Sequence, residues 1–151
     1  MLIGVISDTH GLIRPDALRV LAGSDAILHA GDIGSQAVLD ELEGIAPVFP
    51  VRGNIDEGKW GQSLPRTQVL PFEGALIYML HDIHQLDLDP VAAGIAAVVF
   101  GHSHKPVIER RDGVLFFNPG SAGPRRFKLP IAVGRLTISG ATVMPEIVTL
   151  A

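Results

Sequence analysis

The sequence predicts an α/β protein built as a four-layer αββα sandwich, two mixed β-sheets flanked by helices, and three observations support that reading. The first half alternates short apolar runs with helix-length segments, the pattern of βαβ units and parallel strands. From Val107 onward, the turn dipeptides Asp112-Gly113 and Ser139-Gly140 join Val-, Ile- and Leu-rich strands with no helix between them, which indicates antiparallel pairing. The 151 residues, 47% of them hydrophobic, suffice for one domain spanning 1–151 with a core of its own.

Taken in order, Leu2 to Ile6 reads as the first strand. Pro15 suits a helix start and Gly23 a helix stop, so a short helix covers Pro15 to Ala22. Ala26 to His29 follows as a strand. Ser35 stands where it can cap a helix running to about Glu43 with Gly44 behind it, and Pro47 to Val51 is a third extended run. Next come the β-type runs Gln68 to Phe72 and Ala75 to Leu80, a helical stretch Leu88 to Ala93, and a buried strand Ala96 to Phe100.

Composition narrows the function. A net charge of −4 provides no basic field, so long nucleic acids and anionic membranes are not expected partners. The absence of cysteine excludes disulfides, thiolate metal sites and a cysteine nucleophile, leaving nitrogen and oxygen to hold any metal. The first residues show neither a basic n-region nor a cleavage pattern, so no signal peptide is read. Apolar runs such as Ile95 to Phe100 fall short of the roughly 20 residues that cross a bilayer. A cytoplasmic protein is expected, and a homo-oligomer is left open.

Four polar clusters each follow an apolar run: Asp8-Thr9-His10, Gly31-Asp32, Gly53-Asn54 and Gly101-His102-Ser103-His104. In open α/β sheets ligands bind beyond the carboxyl ends of strands, so the clusters are expected to converge there, the adjoining glycines letting the backbone turn sharply. Convergence would assemble two carboxylates, one amide and three imidazoles, donors suited to zinc, iron, nickel and manganese. Two ions about 3.5–4 Å apart need a bridging ligand, and Asp32 is the candidate. Singly, Asp8 reads as a turn cap and the Gly-Asp and Gly-Asn pairs as ordinary turns; their ordered occurrence after strands makes the case for a metal site.

Asp8-x-His10, Gly31-Asp32, Gly53-Asn54, His81 and Gly101-His102-x-His104 resemble the calcineurin-like metallophosphoesterase superfamily. Asn118-Pro119-Gly120-Ser121 resembles a signature of its small bacterial and archaeal phosphodiesterase branch, and the retromer vacuolar-sorting subunit shares the fold. The resemblance implies that Asp8, His10, Asp32 and His104 hold one divalent ion, while Asp32, Asn54, His81 and His102 hold a second. Manganese is the first expectation, with zinc, nickel or iron as alternatives. It implies hydrolysis of a small phosphodiester by a hydroxide generated between the ions, with Asn54 taken also as catalytic.

Several positions stay open. His81 is recovered by analogy alone, Asp82 stands where relatives commonly carry glycine, and His84 is a rival ligand. Ile55 occupies the place where many relatives have a histidine thought to protonate the leaving group. Asp56 can orient a ligand or stabilise a turn, and His29 can be buried filler or a support for the metals. Arg14, Arg52, Lys105, Arg125 and Arg126 flank the site segments as candidate phosphate contacts or plain surface charges. Two other readings are a protein-interaction scaffold of this fold and a nucleotide- or nucleic-acid-directed phosphoesterase. The full ligand set speaks against the first, and the acidic charge against a polymer substrate for the second.

Overall fold

Residues of the central strands are apolar on both sides of the pleat, and the computed structural model, which describes residues 1–150, explains why. The elements are β1 (Leu2–Ile6), α1 (Pro15–Leu21), β2 (Ala26–His29), α2 (Gln36–Glu43), β3 (Val48–Pro50), α3 (Gly58–Gln62), β4 (Thr67–Phe72), β5 (Ala75–Leu80), a 3-10 turn (Ile83–Gln85), β6 (Ala97–Val99), β7 (Val107–Arg111), β8 (Val114–Asn118), β9 (Ala132–Ser139) and β10 (Thr142–Thr149). They form two five-stranded mixed sheets, ordered β10-β9-β1-β2-β3 and β4-β5-β6-β8-β7.

The sheets pack face to face. Ile3, Val5 and Leu28 of the first meet Ile77, Met79, Val99, Leu115 and Phe117 of the second in one buried cluster. The intervening residues face outward into two further clusters. Ile6 and Ile27 lie under α1 and α2 with Leu21 and Leu42, whereas Tyr78, Val98 and Phe116 are covered by Ile83, Leu86, Leu88 and Ile95. Period-two alternation thus places every other side chain between the sheets, and burial of the second face removes the polar half of the pattern.

The helix expected at Leu88 to Ala93 is instead a hydrogen-bonded turn in which the Ala93 N–H reaches Asp89 O and the Ile95 N–H reaches Pro90 O. Pro90 lies in the middle of that segment and Gly94, at φ 72°, ends it, so nothing propagates beyond one turn. The outer layer over the second sheet is therefore a thin strap. Conversely, α3 and the 3-10 turn carry no apolar periodicity long enough to announce them. Among the described residues, no helix is long and apolar enough to cross a membrane.

Topology aims the site. β1, β2 and β3 run parallel in one sheet, and β5, β6 and β8 run parallel in the other. Their carboxyl ends lead into residues 7–10, 30–34, 51–56, 81–82, 101–104 and 119–123. Three of the four edge strands carry a proline, Pro50, Pro71 and Pro145, and the fourth, β7, exposes Glu109, Arg110 and Arg111, so further strand pairing is discouraged at every edge. Phe117 lies fully buried between the sheets. Phe117→Ala is expected to destabilise the protein by about 3–5 kcal/mol in denaturant unfolding, whereas Ile108→Ala, on the exposed edge strand, stays within about 0.5 kcal/mol.

Candidate metal centre

The loops that carry the candidate residues are hydrogen-bonded to one another. The His102 N–H and the Ser7 hydroxyl both donate to Asp8 Oδ2, at 3.1 and 2.7 Å. The Ile55 N–H donates to Asp32 Oδ1 at 3.1 Å. Each carboxylate therefore has one oxygen fixed by the protein and one free. The free ones face histidines: Asp8 Oδ1 lies 3.5 Å from His104 Nε2 and 3.9 Å from His81 Nε2, and Asp32 Oδ2 lies 3.4 Å from His81 Nε2 and 3.6 Å from His10 Nε2.

Two three-residue groups have the geometry to hold an ion, Asp8-His10-His104 and Asp8-Asp32-His81. Asp8 belongs to both, so it as well as Asp32 has the reach to span two ions. The His81 and His102 rings lie 5.2 Å apart, His10 and His104 5.4 Å apart. His102 is half-exposed at the surface end of the cluster. Asn54 lies exposed at the mouth of a cavity of about 80 Å³ that it shares with His81. The fold thus brings the seven sequence-selected residues to one edge.

His81 and His84 separate clearly. His81 Nδ1 lies 2.7 Å from the Ala30 carbonyl, and a proton donated there leaves the Nε2 lone pair facing both carboxylates. His84 is 87% exposed and turns toward Asp82 Oδ1, outside the cluster. Asp56, buried, accepts from the N–H groups of Ile33, Gly34 and Gly53, so it clamps the Asp32 loop to the Asn54 loop without reaching a ligand side chain. His29 does the same for other loops: its Nδ1 accepts from the Gly31 N–H, and its Nε2 donates to the Thr9 hydroxyl, which in turn donates to Ile33 O. Asn118 donates to Gly101 O and Ser103 Oγ, and the Ser121 hydroxyl donates to Asp8 O, so that motif also braces ligand loops.

Backbone conformation marks the site independently. Five of the seven candidates, Asp8, His10, Asp32, His102 and His104, have φ between 49° and 72°. That left-handed region disfavours a side chain by about 1–2 kcal/mol per residue and persists where surroundings over-determine it. The neighbouring glycines serve a different need from the one expected. Only Gly31 turns with positive φ; at Gly53 a Cβ would sit 2.2 Å from Asp32 Oδ1, and at Gly101 it would sit 2.1 Å from Ser7 Oγ. Close approach of one loop to the next, rather than sharp turning, requires glycine at those two positions.

Electrostatics follow from burial and crowding. Burial and the adjacent Asp32 charge raise Asp8 above the ordinary carboxylate range, against the Ser7 hydroxyl and His81. Burial also pushes Asp32 upward, but the nearby His81 imidazole, 3.4 Å away, and the Ile55 N–H outweigh it and bring Asp32 down to about 2. Burial, with Arg126 and His10 nearby, lowers His104 to about 4. Ser7 and Arg66 were not singled out from sequence. A hydroxyl adjoining a buried carboxylate was a readable signal for Ser7, while Arg66 lies in no motif and arrives because the Arg52 N–H donates to Pro65 O.

A two-sheet sandwich with an all-nitrogen-and-oxygen donor cluster at the ends of its parallel strands defines a metallohydrolase-type site. Residues 1–141 match the model of the calcineurin-like phosphoesterase superfamily domain, and the chain belongs to that family. It is 36% identical to a protein of Methanothermobacter thermautotrophicus named "Probable metallophosphoesterase", over 98% of this chain and 92% of that one. It is 28% identical to the phosphodiesterase YfcE of Escherichia coli, covering 86% and 84%. The structure of Entamoeba histolytica Vps29 complexed with zinc shares the fold, with a TM-score of 0.75, 24% identity and 99% of each chain covered.

Burial lowers His29 to about 3 from 6.5, with His81 and His10 adding to the effect. The folded protein thus declines a proton that the unfolded chain accepts below about pH 6.5, and stability falls as pH drops through that window. Between about pH 7.5 and pH 5, wild type should lose about 2 kcal/mol more unfolding free energy than His29→Gln, read from urea titrations of chelator-treated proteins.

Proposed function

We propose that this chain hydrolyses small phosphodiesters, with two divalent cations held by Asp8, His10, Asp32, Asn54, His81, His102 and His104. One observation carries the reading: Asp8 Oδ1, His10 Nε2 and His81 Nε2 are buried and unpartnered within a single cluster. Leaving a buried polar atom unsatisfied costs about 1–3 kcal/mol, so a cluster of such atoms is best understood as a cation site. The absence of thiolates and the mixture of imidazole with carboxylate favour manganese, with zinc, nickel or iron able to serve. The likeness to the phosphodiesterase YfcE supports the diester class.

Bound there, divalent ions supply Lewis acidity toward phosphoryl oxygens and lower the pKa of water toward neutrality. The protein's part is placement. The Ala30 carbonyl fixes the His81 tautomer, and the Ile55 N–H fixes Asp32 so that Oδ2 can be shared; Asp32 is the proposed bridge, with Asp8 the competing one. Asn54 is assigned both as an oxygen ligand and as the amide that donates to a phosphoryl oxygen. Ile55, 42% exposed beside it, has no proton to give. Aryl diesters, which expel a stabilised phenolate, are therefore the favoured substrates, and diesters are favoured over monoesters of the same phenol. A protein-binding scaffold has no use for buried unpartnered donors, which argues against that role as the main one.

A matrix of metals and aryl or nucleotide mono- and diesters on chelator-stripped protein is the direct test. Stripping should abolish hydrolysis and manganese restore it, with full activity in metal-free protein overturning the proposal. Asp32→Ala should lower bound metal and reduce turnover by more than about 100-fold, while His84→Ala leaves both near wild type. Across a series of diesters, kcat/KM should fall steeply as leaving-group pKa rises, and Ile55→His should flatten that dependence within the about 10²–10⁴-fold that a general acid provides. A wild type insensitive to the leaving group would show that another group supplies the proton.

A further inference from the structure

Two cavities adjoin on the His81 side of the cluster. The inner, of about 80 Å³, is lined by Asn54, His81 and Asp82 together with Arg52, Arg66 and Gln85. The outer, of about 190 Å³, shares Arg52, Arg66, His81 and Gln85 and continues away from Asn54 toward Thr67 and Asp87. They form one cleft, with Asn54 at one end, Thr67 and Asp87 at the other, and His81 and two guanidinium groups lining both compartments.

Those guanidinium groups are unclaimed. The arginines joined to carboxylates are Arg19, Arg111 and Arg135, and among the described residues neither Arg52 nor Arg66 forms an ion pair. Yet the chain has 16 Asp and Glu against 12 Lys and Arg, so partners are not scarce. The two lie together because the Arg52 N–H donates to Pro65 O at 2.8 Å and Gln68 Nε2 donates to Pro50 O at 2.7 Å, which moors the start of β4 beside the end of β3. Of the acids on the cleft wall, Asp82 is engaged, with Oδ1 accepting from the His84 N–H and Oδ2 3.9 Å from His102. Asp87 is exposed at the outer rim.

We infer that this cleft binds a second anionic group carried by the substrate beyond the scissile phosphodiester, so that the substrates are diesters of an alcohol that is itself phosphorylated. The inference rests on the phosphodiesterase reading above. It is distinct from binding of the scissile phosphate, because the outer compartment leads away from Asn54 while keeping both arginines. Guanidinium suits phosphate through paired, charge-assisted hydrogen bonds, and in a partly enclosed cleft these are screened less than on an open surface.

The test uses two diesters with the same para-nitrophenyl leaving group, one whose second alcohol is ethanol and one whose second alcohol is ethylene glycol monophosphate. With manganese-loaded protein at low salt, kcat/KM for the phosphorylated diester should exceed that for the ethyl diester by about tenfold or more. In Arg66→Ala that ratio should fall toward one, and Arg66→Lys should keep part of it. A ratio near one in wild type overturns the inference. So does a ratio that survives Arg66→Ala, since the arginine would then serve the scissile phosphate alone or nothing. Should neither diester be hydrolysed with any metal, the hydrolase reading itself fails. Calorimetric affinities for the same two compounds then decide the cleft: a tenfold preference lost in Arg66→Ala upholds it, and equal affinities overturn it.

Discussion

A carboxylate removed from water must be given donors, and Asp8 takes its donors from two distant places, the adjoining Ser7 hydroxyl and the His102 N–H, 94 residues further along the chain. That bond couples the end of a strand in one sheet to the end of a strand in the other. The rest of the centre extends the same device. His29 and Asp56 tie the loops after β1, β2 and β3 to one another, while His81, Asn118 and Ser121 carry the ties within and between the sheets. Apart from His81, whose own second ring nitrogen makes the tie, the side chains that face the cluster are thus aimed by polar groups that never enter it, the arrangement by which outer-shell partners set ligand orientation.

The strands and the site were legible in the sequence for related reasons. Strands buried on both faces leave uninterrupted Val, Ile and Leu runs, and parallel strands deliver whatever follows them to one edge, so Asp8, Asp32, Asn54 and His102 could be placed without coordinates. Leu88 to Ala93 misled because its composition suits a helix, while the proline and the glycine around it confine the segment to one turn. Gly53 and Gly101 were recognised as necessary but for the wrong reason, because close approach between loops distant in sequence leaves no local mark. The same limit hid the clamping roles of Asp56 and His29, whose partners are backbone N–H and hydroxyl groups present in every sequence, and it hid Arg66 altogether.

Conserving such a scaffold constrains more than the ligands. The three edge-strand prolines and the charged β7 leave the two sheets closed to further strands, so contacts with other molecules must come from loops and side chains.

The left-handed backbone at Asp8, His10, Asp32, His102 and His104 bears on how such a centre endures. At those positions the polypeptide itself would be more relaxed with glycine, so mutational drift is biased toward dismantling the donor set. Loss of the His10, His102 or His104 side chain would relieve that backbone, whereas loss of Asp8 or Asp32 would also strand the hydroxyl and N–H donors they satisfy. The candidate site is thus a constraint on the chain carried in dihedral angles as much as in residue names.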